Sequence, residues 1–568
     1  MRLSCSGWTL LAACFAISTV HLHPVYAGSN NSYLDGRIHL NEPLAKPCFS
    51  NYNGQPVQPN YDLCLEIQQN YHDPDFRFSH AGAYMNLQDE ICASEPETQC
   101  LLDFSNPEDP TAYVNKTCWQ GSVPAYYIKA SKVSDVQEAL AWAKDTGTPI
   151  SIKSSGHDYK GRSSGNGSLA IWMAGFDGLD YHDAFVPEGC DDVVPALAIT
   201  AGSGVDMEAA YAFADEHNVT VLGGYAPTIS LSGGYVQGGG HSILSPVYGL
   251  AVDRVLQFKV VTPDGVYRTA NACQNQDLFW ALRGGGGGTF SIVVEATHQV
   301  EPAVSFVVAS IDFTSNSTNL IPYYGILVDN ALTWASQGWG GHINGASVIL
   351  LSPLLTLSDA TDSMTPAALY AEAQGGSANF TEYTSFYSFF EEFVVIGDNG
   401  GGVGEIDITN DFLMPKEVFV HADSRAQLVD FFASFIAAGN TPYVPVVGPY
   451  LYNYTANSTS ATPAWRDTLW LVGADYSWRW NSSLVERQAV VETSESQAEI
   501  LVKLTGGAMY VSEATPFTSN WQDAFWGKNY AHLLAIKHKY DPDGVLSCWQ
   551  CVGWEDQLTK DTCWSAFG

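Results

Sequence analysis

The chain has 568 residues, 46% of them hydrophobic and 15% charged, with 25 Lys and Arg against 60 Asp and Glu and a formal charge of -35. So much apolar sequence excludes a disordered or solvating chain, because it can bury a large core, and at roughly 150 residues per domain it implies two to four domains. The negative charge repels phosphate backbones and anionic lipid, which excludes nucleic acid and membrane surfaces as partners.

In chain order, residues 1–27 read as a secretory signal. Arg2 gives a positive start, Trp8 to Val20 an apolar run, and Val25-Tyr26-Ala27 a small-residue cleavage site. The apolar run is shorter than the roughly 20 residues of a spanning helix, so an extracellular, secreted protein is expected. Cys5 and Cys14 leave with the signal. Cys48, Cys64, Cys92, Cys100, Cys118, Cys190, Cys273, Cys548, Cys551 and Cys563 remain. An even set in an oxidising compartment implies disulfides, with the pairing left open. Cys548-Trp-Gln-Cys551 looks like half a zinc site, but no second Cys or His pair has metal spacing, so a disulfide is preferred and no metal is expected. Sequons at Asn30, Asn115, Asn166, Asn218, Asn316, Asn379, Asn453, Asn457 and Asn481 imply a glycosylated surface.

Residues 28–118 are rich in Pro, Asn and Cys and read as an N-terminal extension stapled by disulfides. Periodicity begins near residue 124. Ala125–Lys129 is a strand, and Ser134 caps a helix whose Val136, Ala139, Leu140 and Ala143 share one face. Gly147 stops that helix and Pro149–Lys153 is the next strand, a β-α-β unit. Further strands are expected at Leu169–Met173, Ala196–Ala201, Val255–Val261 and Ser291–Thr297, with a helix near Asp206–Glu216. Residues 303–515 turn aromatic, acidic and mixed α+β. The last segment, 516–568, carries a helix at Asn529–Lys539 ended by Asp541-Pro-Asp-Gly544.

Three Gly-rich loops separate the early strands: Ser155-Gly-His157 with Gly161–Gly167, then Gly223–Gly240, then Gly284–Gly288. Glycines let main-chain N–H groups converge on an anion, so loops between strand ends fit a large phosphate-bearing cofactor, or else ordinary turns. No G-x-x-x-x-G-K-[ST] is present, and Gly284-x-Gly286 is followed by Thr289 and a strand, so neither P-loop nor Rossmann binding is supported. Gly161-Arg-Ser163-Ser-Gly165 matches a hydrolase elbow but lacks the strand before and helix after it. His157, in a Ser- and Gly-rich loop after a strand, reads either as an ordinary surface or core histidine or as one whose ring nitrogen bonds covalently to a cofactor.

Ser154-Ser-Gly-His157, Ala226-Pro-Thr-Ile-Ser230, Ser232-Gly-Gly234, Gly238-Gly-Gly-His-Ser242, Tyr248–Asp253, Asp277–Gly284, Asn529-Tyr530, Lys537 and Asp541-Pro542 together resemble the vanillyl-alcohol oxidase superfamily. The likeness is to its berberine-bridge-enzyme-like branch, and more narrowly to secreted fungal FAD-linked oxidoreductases that include isoamyl alcohol oxidase. It runs from about Val123 to Gly553. The resemblance implies an α+β fold: a PCMH-type, two-subdomain FAD-binding domain over residues 119–302, completed by 516–568, and a substrate domain over 303–515 with an antiparallel sheet over the flavin.

It also implies FAD carried on His157 through the flavin 8α-methyl carbon. Many relatives add a bond from a Cys before the Pro-Thr pair. Ala226 stands there, so attachment through His157 alone is expected. The implied cofactor contacts are Ser154, Ser155, Gly156, Asp158, Ser163, Pro227, Thr228, Ser232, Gly233, Gly234, Gly238, Gly239, Gly240, His241, Ser242, Ile292 and Asn529. Asp158 and Lys160 are placed to set the imidazole tautomer, and Cys190 is expected to pair with Cys273.

Oxidising an alcohol needs a base acting as hydride leaves. Tyr510-Val-Ser-Glu513 supplies the candidates Glu513 and Tyr510, although strand alternation would set them on opposite faces without a twist or bulge. Relatives that oxidise sugars resemble this chain with Tyr where Glu513 stands. His241 is expected at the flavin and secondarily in proton transfer. The leading reading is an alcohol oxidase reoxidised by O2 to give H2O2, acting on a hydrophobic alcohol. The alternatives are an oxidative cyclase or dehydrogenase of secondary metabolism, and a non-catalytic glycoprotein with the same fold.

Overall fold

The computed structural model describes residues 36–397, 402–555 and 563–567. The signal segment, Asn30 and most of the Asn399–Gly402 stretch lie outside them. Near the chain start, strands Tyr126–Lys129 and Ile150–Lys153 flank Leu169–Trp172 and all three run parallel, with His39–Leu40 added antiparallel at the edge. The β-α-β unit is therefore present, but with a third strand between its two. Its helix, Val133–Thr146, begins after Lys132 rather than at Ser134. The Asp135 carboxylate accepts from Ser131 N (3.0 Å) and Lys132 N (3.3 Å) and does the capping expected of Ser134. Gly147 ends the helix at φ +68°, as its missing Cβ allows.

Residues 179–299 form a second sheet, in the order Tyr267–Asn271, Val255–Val261, Ile292–Gln299, Ala196–Gly202 and Leu179–Phe185, all antiparallel. A third antiparallel sheet lies in the middle of the chain: Ser377–Tyr383, Phe306–Asp312, Ser347–Ser352, Gly340–Asn344 and Tyr443–Val446. The helices Ser317–Ser336, Leu357–Ala373 and Ala422–Ala437 share a core with it through Tyr323, Tyr324, Phe432, Ile343 and Val444. Alternation then turns His342, Asn344 and Tyr443 to the opposite face. A short pair, Asp411–Pro415 with Thr468–Gly473, lies beside this sheet.

The ten cysteines form five bridges: Cys48–Cys64, Cys92–Cys563, Cys100–Cys118, Cys190–Cys273 and Cys548–Cys551. The 190–273 and 548–551 pairings are those expected. Asn115, Asn166, Asn218, Asn316, Asn379, Asn453, Asn457 and Asn481 are all exposed. Among the described residues no helix is long and apolar enough to cross a membrane.

The N-terminal extension is more than a stapled appendage. Arg77, wholly buried, donates to Tyr71 O (2.7 Å), Tyr84 O (2.7 Å) and Glu90 Oε1 (2.8 Å). Lys153, at the end of the strand leading to His157, sends Nζ to His80 O (2.8 Å) and Ala83 O (2.5 Å) of the extension. Burial lowers that ammonium to about 7, so the three-carbonyl nest, completed by Ala81 O (3.4 Å), is what satisfies it.

Candidate active site

The strand Ile150–Lys153 delivers the loop Ser154–Asp158. Gly156 turns it at φ +91°, and a Cβ there would meet Lys153 Cε at 3.2 Å and Tyr84 Cδ1 at 3.4 Å. The extension fixes the turn from behind: Met85 N donates to Gly156 O (3.0 Å), and Asn86 Nδ2 to His157 O (3.2 Å) and Asp158 O (3.1 Å). His157 Nε2 lies 2.7 Å from the Thr228 hydroxyl, and Nδ1 has no hydrogen-bond partner among the described residues. Burial lowers this imidazole to about 3, so it is neutral at working pH.

Asp158 and Lys160 do not set that ring. The Asp158 carboxylate accepts from Lys160 N (3.0 Å), Arg162 N (2.7 Å) and the Arg162 guanidinium (2.7 Å to Nε). Lys160 Nζ sits over the Phe525 ring at 4.0 Å. Thr228 holds the imidazole instead. Asp158 is captured by Arg162 four residues on, and Lys160 by an aromatic face from the C-terminal segment, which spacing alone does not reveal.

The Gly-rich loops meet at one place. A Cβ on Gly233 would lie 2.9 Å from Ser154 Cβ, and one on Gly287 would lie 2.9 Å from Gly234 Cα, whereas the Cβ position of Gly234 itself has nothing within 4 Å. Loops from three parts of the chain thus converge on an open space beside His157, and larger residues would fill it. A free imidazole nitrogen next to a cradle kept clear by glycine fits a bulky cofactor carried on His157. Some expected contacts are otherwise occupied. The N–H groups of Gly239, Gly284 and Gly286 donate to Val236 O, Gln237 O and Gln237 O, so they are not aimed at phosphate. Ser232 Oγ is 2.9 Å from His298 Nε2, and Ser242 Oγ accepts from Leu244 N (3.3 Å). Pro227 O receives the first amides of the helix Met207–Glu216. The Ile292 side chain is wholly buried with Ile128 and Ile171, and Asn529 Nδ2 braces Ser460 O (3.2 Å) and Ala461 O (3.1 Å). Ser155 is buried, and Ser163 O accepts from the Tyr84 hydroxyl (3.2 Å).

The candidate base lies on a turn and not on a strand. Glu513 N donates to Tyr510 O (3.1 Å), which folds Tyr510–Glu513 back and brings both side chains together without a bulge. Glu513 Oε1 is 2.9 Å from His241 Nε2. The Tyr510 ring meets that imidazole edge-on at 5.5 Å, and its hydroxyl accepts from Gly240 N (3.1 Å). Burial, reinforced by Glu513, pushes the Tyr510 hydroxyl well up, so it stays protonated.

Sequence reasoning missed the surroundings of this pair. Asp411 N donates to Glu513 O (3.1 Å). Asp411 and Asp475 approach each other across Gly473, where a Cβ would lie 2.2 Å and 2.8 Å from their Oδ1 atoms. Burial, then Asp475 and Glu513, raises Asp411 well above the carboxylate range. Burial and Asp407 raise Asp475. Asp407 is lifted to about 6 by burial and by Glu405 and Glu513. Burial, then Glu513, pushes the Tyr443 hydroxyl well up, although the residue is 37% exposed. Its hydroxyl is 2.6 Å from His342 Nδ1, and burial with His241 nearby lowers His342 to about 3. The one sequence signal was His342 itself, a polar residue in Gly340–Asn344 facing away from Ile343. The arrangement sets Glu513, paired with His241, beside three carboxyls whose pKa values are raised.

A model of FAD binding domains matches residues 124–271, and a model of berberine and berberine-like proteins matches residues 509–552. The chain is 40% identical over 572 residues to FAD-linked oxidoreductase ffsJ of Aspergillus flavipes, covering 94% of this chain and 93% of that protein. It is 39% identical over 527 residues to FAD-linked oxidoreductase cheF of Chaetomium globosum, covering 92% and 85%. Among solved structures, the VAO-type flavoprotein MtVAO615 of Myceliophthora thermophila C1 superposes with a TM-score of 0.79 at 27% identity, covering 92% of this chain and 94% of that one. A glucooligosaccharide oxidase from Acremonium strictum, described as carrying a 6-S-cysteinyl, 8α-N1-histidyl FAD, shares the fold at a TM-score of 0.60 and 21% identity, covering 76% and 92%.

Proposed function

Because this chain belongs to the FAD-linked oxidoreductases of the vanillyl-alcohol oxidase superfamily, in its berberine-bridge-like branch, we propose that it oxidises a CH–OH carbon to a carbonyl. FAD, when bound, would supply the hydride acceptor for that carbon and the route for its electrons to O2, giving H2O2. His157 would hold FAD through Nδ1, since Nε2 is taken by Thr228. Ala226 offers no thiol for a second bond, so the tether is single. The enzyme acts outside the cell, in keeping with five disulfides and eight exposed sequons.

The observation that carries the reading is the 2.9 Å Glu513–His241 pair. Glu513 takes the substrate hydroxyl proton as hydride departs, and His241 holds the carboxylate in place. Tyr510 fixes the loop through Gly240 N (3.1 Å). A second reading, oxidative ring closure or C–C bond formation, uses the same pair. It is favoured by Asp411, whose carboxyl burial and the neighbouring Asp475 and Glu513 raise well above the carboxylate range, which suits it to donate to a carbonyl-bearing substrate. The test is a visible spectrum before and after acid precipitation, then peroxide release across a panel of alcohols. Peroxide with no alcohol, but with a ring-closing substrate, would select the second reading.

A further inference from the structure

The Cys548–Cys551 bridge closes a tight turn in which Cys551 N donates to Cys548 O (3.1 Å) and Gln550 holds φ +50°. The two cysteines differ in access: Cys551 is 3% exposed, Cys548 is half-buried. Both line a small surface cavity of about 120 Å³ together with Lys537, Gly553 and Trp554. On its inner side the turn touches the cofactor loop, with Cys548 Sγ 4.0 Å from Gly288 O. One ammonium ties the neighbouring strands of chain together. Lys537 Nζ donates to Thr289 O (2.7 Å), to Leu546 O (2.5 Å) and to Asp541 Oδ2 (2.6 Å), and Asp541 in turn accepts from Val545 N and Leu546 N (both 2.8 Å). The bridge therefore ends a brace that runs from the surface to residues 288–289 of the Gly-rich loop.

We propose that Cys548–Cys551 is a thiol-exchange site for a small thiol, and that opening it loosens the Gly284–Thr289 cofactor loop. This rests on FAD as the family's cofactor and not on the CH–OH reading. The thiolate of the small thiol attacks the accessible Cys548 sulfur. The S–S bond breaks, Cys551 leaves as a thiolate and takes a proton, and a mixed disulfide remains. A second small thiolate attacks that mixed disulfide, releasing the oxidised small thiol and Cys548, which is protonated. Two electrons and two protons pass from two small thiols to the pair. A Cys-x-x-Cys spacing favours the thiolate forms that make such exchange fast. The bridge spans only 3 residues of sequence, so it constrains the unfolded chain least of the five and re-closes within the folded protein.

The experiment uses the full-length flavoprotein and reduced glutathione as the probe. Cysteines opened over time are trapped with N-ethylmaleimide and mapped by mass spectrometry, and hydrogen exchange of residues 284–290 is followed in parallel. The expected result is labelling of Cys548 and Cys551 at least about tenfold faster than of Cys48, Cys64, Cys92, Cys563, Cys100 and Cys118, as access dictates. Exchange at 284–290 should rise with that labelling and reverse on adding oxidised glutathione. Cys273 is exposed, so its bridge to Cys190 opens too and serves as the internal control. Labelling of 548 and 551 no faster than the buried bridges would overturn the proposal, as would exchange at 284–290 that stays constant or tracks Cys273. The Cys548→Ser/Cys551→Ser double variant should show fast exchange there with no response to glutathione, and slow exchange in it also overturns the proposal. Should it fail to fold, the wild-type labelling and exchange decide alone.

Discussion

Asp407→Asn isolates the cost of burying an acid beside Glu405 and Glu513. Burial, with Glu405 and Glu513 close by, lifts the Asp407 carboxyl from 3.8 to about 6. Between those values the unfolded chain gives up a proton that the native protein keeps. Stability is therefore undiminished below pH 4, falls as pH rises through about 4 to 6, and stays lowered above that. Two pH units at about 1.36 kcal/mol each amount to about 3 kcal/mol at pH 8. The carboxyl makes no hydrogen bond to a described residue and the amide has the same shape, so the substitution removes little else. With unfolding entropy of about 2.1 cal/mol/K per residue, a chain of this size gains about 2 to 3 °C in Tm from such a change. Calorimetry of wild type and variant at pH 8 and pH 4 reads it: a higher Tm for the variant at pH 8 and equal values at pH 4. An equal shift at both pH values, or a lower Tm at pH 8, would refute the reasoning.

Three further outcomes are expected. Glu513→Gln should lower kcat by about 10²- to 10⁴-fold, the usual worth of a general base, while the flavin absorbance of the purified protein is retained; unchanged turnover removes Glu513 as the base. Thr228→Val deletes the hydroxyl 2.7 Å from His157 Nε2 and leaves a buried nitrogen unsatisfied at a cost of about 1–3 kcal/mol, so the fraction of flavin that stays with acid-precipitated protein should fall. Arg77→Met strands Glu90 without its partner inside the extension, and denaturant unfolding should show a loss of about 3–5 kcal/mol; a loss below 1 kcal/mol would mean that the Arg77 contacts carry no net stability.

Much of the fold was legible in the sequence because it is local. The helix ending at Gly147 and the strands from Leu169, Ala196 and Val255 all fall within two residues of where periodicity and turn residues put them. His157 and the three Gly-rich loops were legible for the same reason, since each is a short run with unusual composition. What sequence could not show depends on long-range approach. Asp411 and Asp475 meet only because strands Asp411–Pro415 and Thr468–Gly473 pair, with Gly473 leaving room between the two carboxyls. The Tyr510–Glu513 segment has strand-like composition yet turns, because Glu513 N folds back to Tyr510 O and Glu513 O accepts from Asp411 N at the start of strand Asp411–Pro415. The extension gave only a weak periodic signal. Its part in shaping the His157 loop comes from main-chain contacts at Met85 and from the Asn86 amide, which composition does not encode.

The Cys92–Cys563 bridge joins points 471 residues apart, so nearly the whole described protein is one covalent hoop. A single protease cut in any exposed loop of that hoop severs the backbone without releasing a fragment. Clipped molecules would run as intact ones on a non-reducing gel and separate only once reductant is added. Such a hoop gains endurance against proteolysis, because the severed ends stay held at their own effective concentration.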